Sequence, residues 1–452
     1  MSWRQFAAGS PDGRTSRNAG HDALHIKTQE LVKIDAMKRG SWFNALASEE
    51  ISAQGLAPQA REEISKLDDT LYTLWNLGDN VVIAWTFKGQ ELHFLSVRHY
   101  AIPEAIHADT PHREGMMDTV KFINGVLSGP KFLVPEMFER VCRVFDAAPE
   151  IISVNFRIEY DLDIDLISSL VRRYGVSLVR GRAVVLLDAV EFTLRSPLDQ
   201  VAMLNSLAYS VNSAYGQLLQ KDIKINFART TTGDGFYIWN RATTPEANIE
   251  LYKLTMMVLA DNAVAQRKAR SAWVPQLRAA FHIGEHYEFH QVEGLNPTTF
   301  SYIVGQVTID LSRMIERALP GQILLGDFRI ETTDQKTRRR IRYDTLDFVE
   351  NTAATLDQLR GMNISGGSID NVHCYLTGES LGGGRYLVNR YYIVDKHGTT
   401  RAVYNAKINI HRENAEPIIL GIQSKDLHAF PAARVETLSR AGDKTGSFFV
   451  SP

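Results

Sequence analysis

Val184-Val185-Leu186-Leu187-Asp188-Ala189-Val190-Glu191-Phe192-Thr193 carries an unbroken apolar run straight into a carboxylate. A continuous valine- and leucine-rich run is what a central strand buried on both faces requires. A second carboxylate follows in Thr232-Gly233-Asp234-Gly235-Phe236, whose glycines mark the tip of a hairpin between strands expected at 223–228 and 236–239. Further on, Gly305-Gln306-Val307-Thr308-Ile309-Asp310-Leu311-Ser312-Arg313-Met314 reads as a helix that carries Arg313. Taken alone, Asp188 reads as an ordinary strand-end cap. Two carboxylates at strand ends plus a helical arginine suit two-metal phosphoryl transfer. The metals activate the attacking and leaving oxygens, and the arginine meets charge that develops in the transition state.

Outward from this stretch the periodicity gives a coarse topology. Ser196-Pro197-Leu198-Asp199 has the order of a helix start, with serine as N-cap, proline at the first position and an acid three after the cap. Val201, Leu204, Leu207, Ala208, Val211, Tyr215 and Leu218 give that helix one apolar face. A helix is expected at 249–267, strands at 277–283 and 287–292, a helix at 307–318 and a strand at 323–325. The order β-α-β-β-α-β followed by β-α-β predicts an α+β fold with a ferredoxin-like core and additions.

The chain has 452 residues, which predicts two or three domains. They are expected at 1–175, an N-terminal region of mixed α/β character; 176–335, the core; and 336–452, a strand-rich C-terminal domain. The first region should hold helices at 25–77, 118–127, 135–145 and 166–174, a hairpin at 81–97 and a strand at 151–160. Residues 1–22 read as a flexible lead-in and the end of the tail after 439 as disordered. In the last region, 348–359 reads as helix, 362–370 as loop, and 386–394, 402–409 and 418–422 as strands. Arg338–Arg342 reads as a solvated linker.

A net charge of −2 and 23% charged residues give no electrostatic footprint of a nucleic-acid or anionic-membrane binder. Neither an apolar run of membrane-spanning length nor a signal-peptide core is present. The two cysteines, Cys142 and Cys374, have no metal-ligand spacing, and a reducing cytoplasm is expected. His282 reads as a packed strand histidine. His286 and His290 have a spacing that suits a metal pair only on a helix. Gly382-Gly383-Gly384 lacks the lysine and following helix of a P-loop, and 160–165 reads as an acidic helix cap.

Five blocks of the middle third resemble class III nucleotidyl cyclase domains, in the family's order over about 150 residues. Asp188-Ala189-Val190-Glu191-Phe192-Thr193 resembles the metal-binding opening, roughly Asp-Ile-x-Gly-Phe-Thr. Thr232 to Phe236 resembles the second metal carboxylate, and Arg278-Ala279-Ala280-Phe281-His282-Ile283-Gly284 the Arg-x-Gly-Ile-His-x-Gly strand. Gly305 to Met314 resembles the Gly-x-x-Val-Asn-x-Ala-x-Arg-Met helix, and Pro320-Gly321-Gln322-Ile323-Leu324-Leu325 the Pro-Gly-x-Ile strand. The resemblance implies a head-to-tail homodimer with interfacial sites. Asp188, Asp234 and the Ala189 carbonyl would hold two Mg²⁺ or Mn²⁺ ions, and the backbone of Glu191, Phe192 and Thr193 would cradle phosphate. Arg313 of the partner subunit would stabilise the transition state as the ribose 3′-hydroxyl attacks the α-phosphate.

The departures from the family pattern point to the substrate. The ribose-orienting asparagine falls at Ile309, so orientation must come from elsewhere, with Asp310 and Gln306 as candidates. The adenine-reading lysine and aspartate fall at Thr230 and Tyr302. A tyrosine leaves less room than an aspartate, which favours a pyrimidine and suggests the cyclases of bacterial anti-phage (Pycsar-type) systems. Residues 375–378 and 384–411 look like the sensor-type domain appended to bacterial signal-nucleotide synthases, and chains with this extension look more like the cytidylate branch. CTP is therefore the expected substrate, with UTP, ATP and a non-catalytic nucleotide-binding role as alternatives. Neither a membrane nor a stable nucleic-acid partner is expected.

Overall fold

The computed structural model describes residues 58–107, 113–154, 164–269, 273–292, 299–333, 340–378, 380–382, 385–438 and 449–450. The expected lead-in, the helical pattern before residue 58, most of the acidic run at 160–165 and most of the tail lie outside them. The described residues divide between two compact units, Met1–Leu178 with Glu288–Tyr302, and Val179–Tyr287 with Ile303–Pro452. Among the described residues, no helix is long and apolar enough to cross a membrane.

The first unit contains α1 (Pro58–Trp75), β1 (Asn80–Lys88), β2 (Glu91–Arg98), α2 (Ala101–His107), α3 (Arg113–Ser128), α4 (Pro135–Val144), β3 (Glu150–Ser153) and α5 (Ile164–Arg172). Strands β1, β2 and β3 form an antiparallel sheet, and Gly89 turns the first hairpin at φ 63°. Leu67, Leu71 and Trp75 of α1 pack with Trp85, Phe94 and Leu170. Lys131 is fully buried among them, with Nζ donating to the carbonyls of Ile83 at 3.3 Å and Val176 at 2.8 Å. Burial pulls its ammonium down to about 7.

From there the chain continues through β4 (Val176–Ala189), α6 (Pro197–Leu219), β5 (Phe227–Thr231), β6 (Gly235–Asn240), α7 (Pro245–Lys268), β7 (Leu277–Val292), β8 (Thr299–Val304), α8 (Gln306–Arg317) and β9 (Ile323–Gly326). Next come β10 (Arg329–Thr333), β11 (Arg340–Asp344), α9 (Thr345–Ala353), β12 (Asn363–Ile364), β13 (Gly367–Leu376), β14 (Ser380–Gly382) and β15 (Arg385–Tyr386). Last are β16 (Val388–Val394), β17 (Thr400–Glu413), β18 (Ala415–Leu420), β19 (Ala432–Leu438) and β20 (Phe449–Val450).

The central sheet runs β12-β13-β17-β9-β7-β4-β6-β5. Its β7-β4-β6-β5 portion places the strands of the β-α-β-β-α-β unit in the order fourth, first, third, second, which is the ferredoxin-like arrangement. The molecule is an α+β protein, as the sequence predicts. The apolar run of β4 is continuous because both faces are covered. Ala183, Val185 and Leu187 join the core that includes Leu207 of α6 and Met256 of α7, whereas Val184 and Leu186 join the core that includes Val307 and Leu311 of α8.

Several local expectations are corrected. The strand expected at 223–228 begins at Phe227, because Asp222 turns the chain at φ 56° and Ile223 and Ile225 enter the core as irregular backbone. The two strands expected at 277–283 and 287–292 are one strand, β7. Gly284 does not break it. A Cβ there would stand 3.1 Å from the Val307 Cβ, so the glycine gives α8 room. Strands β8, β10 and β19 were not foreseen. The loop expected at 362–370 is the β12–β13 hairpin, turned by Ser365 and Gly366, both at positive φ. Arg340–Arg342 belongs to β11 rather than to a linker. Finally, β17 pairs with β9 and β13 in the central sheet, so residues after 335 are continuous with the core instead of set apart from it.

Candidate active site

Asp188 closes the even-numbered face of β4, after Val184 and Leu186. The β5–β6 hairpin brings Asp234 beside it. Gly235 is the register partner of Asp188, and the Ala189 N–H donates to the Asp234 carbonyl at 3.0 Å. Only glycine fits at 235, since a Cβ would lie 1.8 Å from the Leu187 carbonyl oxygen. The tip is fixed locally as well. The Gly233 N–H donates to Thr231 Oγ1 at 3.1 Å, and the Thr232 hydroxyl donates to Asp234 Oδ1 at 3.0 Å. The motif Thr-Gly-Asp-Gly is thus a device for seating one carboxylate against the end of the neighbouring strand.

Asp188 is 5% exposed. Arg278, on the adjacent strand β7, donates from Nε to Asp188 Oδ2 at 2.6 Å and from Nη1 to the Ala318 carbonyl at 3.3 Å. Burial lifts the Asp188 carboxyl above its ordinary value, Arg278 works against that rise, and Asp234 adds to it. Arg278 thus answers the buried Asp188, beside which Asp234 places a second carboxylate. That donor set fits a hard divalent cation, with Asp188, Asp234 and the Ala189 carbonyl as the oxygens available to it. His286 and His290 sit in a strand, and among the described residues no group of three or more His, Cys, Asp or Glu converges.

After Ala189 the chain leaves the sheet, with the Val190 N–H donating to the Gln276 carbonyl at 2.9 Å. Glu191 takes a left-handed conformation at φ 58°, and Phe192–Leu194 forms a 3₁₀ turn. As the opening of such a turn, the N–H groups of Phe192 and Thr193 have no partner within it, the arrangement that receives anions at helix starts. Gln200 Nε2 steadies the loop through the carbonyls of Phe192 and Arg195, both at 3.2 Å. Beyond it, Leu194, Leu198, Val201 and Trp273 are exposed apolar side chains.

The other expected residues stand elsewhere. Thr230 is on β5, opposite Tyr237 of β6. Arg229 is exposed and lies over the Phe236 ring, with 5.2 Å between the guanidinium and the ring centroid. Tyr302 belongs to the first unit, where its ring stacks on Phe289 at 5.8 Å. Ile309 is 46% exposed on α8. Arg313 does not meet Asp188 or Asp234 within the single chain. Its Nη1 donates to Glu316 at 2.7 Å, and its Nε faces Asp395 Oδ2 at 3.8 Å. Asp310 accepts from Gln306 at 2.8 Å and from Arg401 at 2.7 Å and faces His282 at 3.7 Å. His282 is indeed packed, and burial lowers its imidazole to about 4.

Sequence reasoning misses four contributors. Arg278 was visible as the first residue of a recognised strand motif but was not connected to Asp188. Tyr237, whose hydroxyl donates to the Thr308 carbonyl at 3.1 Å, ties β6 to α8. Asp395 opens the β16–β17 turn and Arg401 is the second residue of β17, and only strand pairing could have placed them.

No protein-family model matches the chain, and no curated protein matches it. Solved structures with some likeness include the guanylate cyclase domain of RhGC from Catenaria anguillulae in complex with GTP. It is 12% identical at TM-score 0.30, covering 53% of this chain and 100% of that one. The adenylyl cyclase CyaB from P. aeruginosa is 11% identical at TM-score 0.30, covering 54% and 97%. The guanylyl cyclase Cya2 is 13% identical at TM-score 0.26, covering 36% and 91%.

Proposed function

We propose that the chain is a nucleotidyl cyclase, and that it converts CTP to 3′,5′-cyclic CMP and pyrophosphate. The observation that carries the reading is the Asp188–Asp234 pair: two carboxylates brought together by a glycine-enforced contact, one of them raised by burial and paired with Arg278. Such a pair is costly to hold together without a cation. Asp188, Asp234 and the Ala189 carbonyl would hold two Mg²⁺ or Mn²⁺ ions, which when bound supply charge neutralisation at the triphosphate and a more acidic ribose hydroxyl.

The chain's own residues then position and stabilise. The N–H groups of the Glu191–Thr193 segment receive phosphate oxygens. Arg313, supplied by a second copy of the chain, meets the charge that develops on the α-phosphate. A homodimer accounts for two further features. Arg313 and the carboxylates do not meet within one chain, and Leu194, Leu198, Val201 and Trp273 are exposed next to the candidate site. For the base, Thr230 and Tyr302 replace the charged purine readers, and the bulk of Tyr302 favours a pyrimidine. UTP is the alternative, because hydroxyls serve as donor or acceptor. By its resemblance to Pycsar-type cyclases, the product is a second messenger of anti-phage defence made in the cytoplasm.

The test is to incubate the full chain with each of ATP, GTP, CTP and UTP plus Mn²⁺ and identify products by mass spectrometry. Cyclic CMP is expected from the native chain, and Asp188→Asn and Asp234→Asn should each reduce it at least about a hundredfold. Cyclic AMP would keep the metal chemistry and overturn the role of Tyr302. Product from both variants at the native rate would remove the carboxylate pair from the mechanism.

A further inference from the structure

Arg313 lies on α8, yet the carboxylate that its Nε faces comes from the turn between β16 and β17. Asp395 is the first residue of that turn, and its two oxygens are used differently. Oδ1 accepts the N–H groups of His397 at 2.8 Å and Thr399 at 2.9 Å, so it builds the turn. Oδ2 accepts from Arg401 Nη1 at 2.6 Å and faces Arg313 Nε at 3.8 Å. The same Arg401 donates from Nε to Asp310 at 2.7 Å, so one guanidinium joins the turn to α8. Asp395, Arg401, Asp310 and Arg313 have side chains 3%, 15%, 17% and 19% exposed, which limits screening by solvent.

The two distances differ in kind. At 2.6 Å a proton is shared in a charge-assisted hydrogen bond; at 3.8 Å there is attraction without one. Arg401 takes the strong contact with Asp395 and leaves Arg313 the weak one. Arg313 already donates to the half-exposed Glu316 at 2.7 Å, and a second, buried carboxylate free to pair fully with it would occupy the guanidinium from both sides and oppose its use at a phosphate group. A carboxylate absent altogether would leave a long, flexible side chain oriented only by Glu316, its neighbour one turn on.

We propose that Asp395 is a positioning residue for Arg313 and that Arg401 keeps it from capturing that arginine. The inference rests on the cyclase reading for its catalytic consequence, though not for the contact itself. Under that reading the β16–β17 turn, which follows the core motifs by some seventy residues in the chain, sets the orientation in which Arg313 is offered to substrate bound by the partner copy.

The experiment uses the full chain labelled with ¹⁵N-arginine, in native form and as Asp395→Asn, Arg401→Gln and the double variant. Asparagine keeps the Oδ1 acceptor for the turn, so D395N should still fold, its unfolding temperature lowered only by the weakened contact to Arg401. The Arg313 side-chain N–H resonance, assigned by its loss in R313K, should move in opposite directions in D395N and R401Q. In the nucleotide assay both variants should lower kcat about tenfold with KM within about twofold, and the double variant should be no worse than D395N alone. A resonance unmoved by D395N, displacement in the same direction by both variants, native kcat in D395N, or additive losses in the double variant would each overturn the proposal. If the native chain forms no cyclic product, the cyclase reading fails, and the resonance still decides whether Asp395 orients Arg313.

Discussion

At the end of β4 one guanidinium, Arg278, pairs with Asp188, and a second carboxylate, Asp234, stands beside it. At the β16–β17 turn two guanidiniums, Arg313 and Arg401, answer three carboxylates, Asp310, Asp395 and Glu316. Asp188 and Asp395 are both buried, yet they respond in opposite senses. Burial dominates at Asp188 and its carboxyl is raised. At Asp395 burial acts in the same upward direction, but the N–H groups of Thr399 and His397 and the Arg401 guanidinium outweigh it and hold the carboxyl at about 2. Burial alone therefore does not fix an acid's response; the number of donors aimed at each oxygen does. Each assembly holds one more carboxylate than guanidinium, so the difference lies in the donors. Asp188 is answered by Arg278 alone, which suits an incoming cation, whereas both oxygens of Asp395 are filled from within, which suits the holding of a side chain in place.

The contrast can be broken most forcefully at Gly235. Gly235→Ala forces a Cβ against the Leu187 carbonyl, so the hairpin must move and carry Asp234 away. A loss of about 3 kcal/mol or more is expected in denaturant unfolding, together with loss of Mn²⁺ binding by calorimetry. Native stability in this variant would mean that the hairpin is not seated on β4 as described. Arg278→Gln sharpens the comparison. It strips the one cation from the first assembly and should cost about 2 kcal/mol in metal-free protein, less when Mn²⁺ is added because the ion takes over the charge. An undiminished loss in Mn²⁺ would indicate that the ion does not bind at these carboxylates.

The smallest effect is expected at Asp395 and is read from pH. Its folded value, about 2, lies below the ordinary 3.8, so its stabilisation is complete above about pH 4 and is lost as pH falls through about 2. The difference in unfolding midpoint between the native chain and D395N should be constant from neutrality to about pH 4 and vanish near pH 2. A difference that persists at pH 2 would show that the turn, rather than the charge, is what the substitution disturbs.

The first assembly was legible because its parts are local. An apolar run ending in Asp188 and a Thr-Gly-Asp-Gly tip each report their own backbone, and the β-α-β-β-α-β order brings them together. Strand ends were less legible where glycine serves closeness rather than turning, as at Gly284 within β7, and where a glycine turns a hairpin so tight that the stretch reads as a loop, as at Gly366. The second assembly was not legible at all. Asp395-Lys396-His397-Gly398 announces a turn, but nothing in the turn names its neighbour. Asp395 meets Arg313 only because β17 inserts beside β9 and the turn at its start follows. Residues after 335 read as a separate domain for the same reason: strand pairing across that distance leaves no mark in composition or period.

The insertion of β17 bears on how the molecule is made. Val403 to Ala406 pair with Gly326 to Ile323, so the outer edge of β9 has no strand partner from β17 until the ribosome has passed those positions. A nascent chain that has finished every cyclase-like motif still presents an open sheet edge, the feature most prone to pairing with another molecule. Synthesis of the last fifth of the chain is then what closes the sheet, and a product shortened at residue 335 would be an unfinished fold with a sticky edge rather than a liberated enzyme.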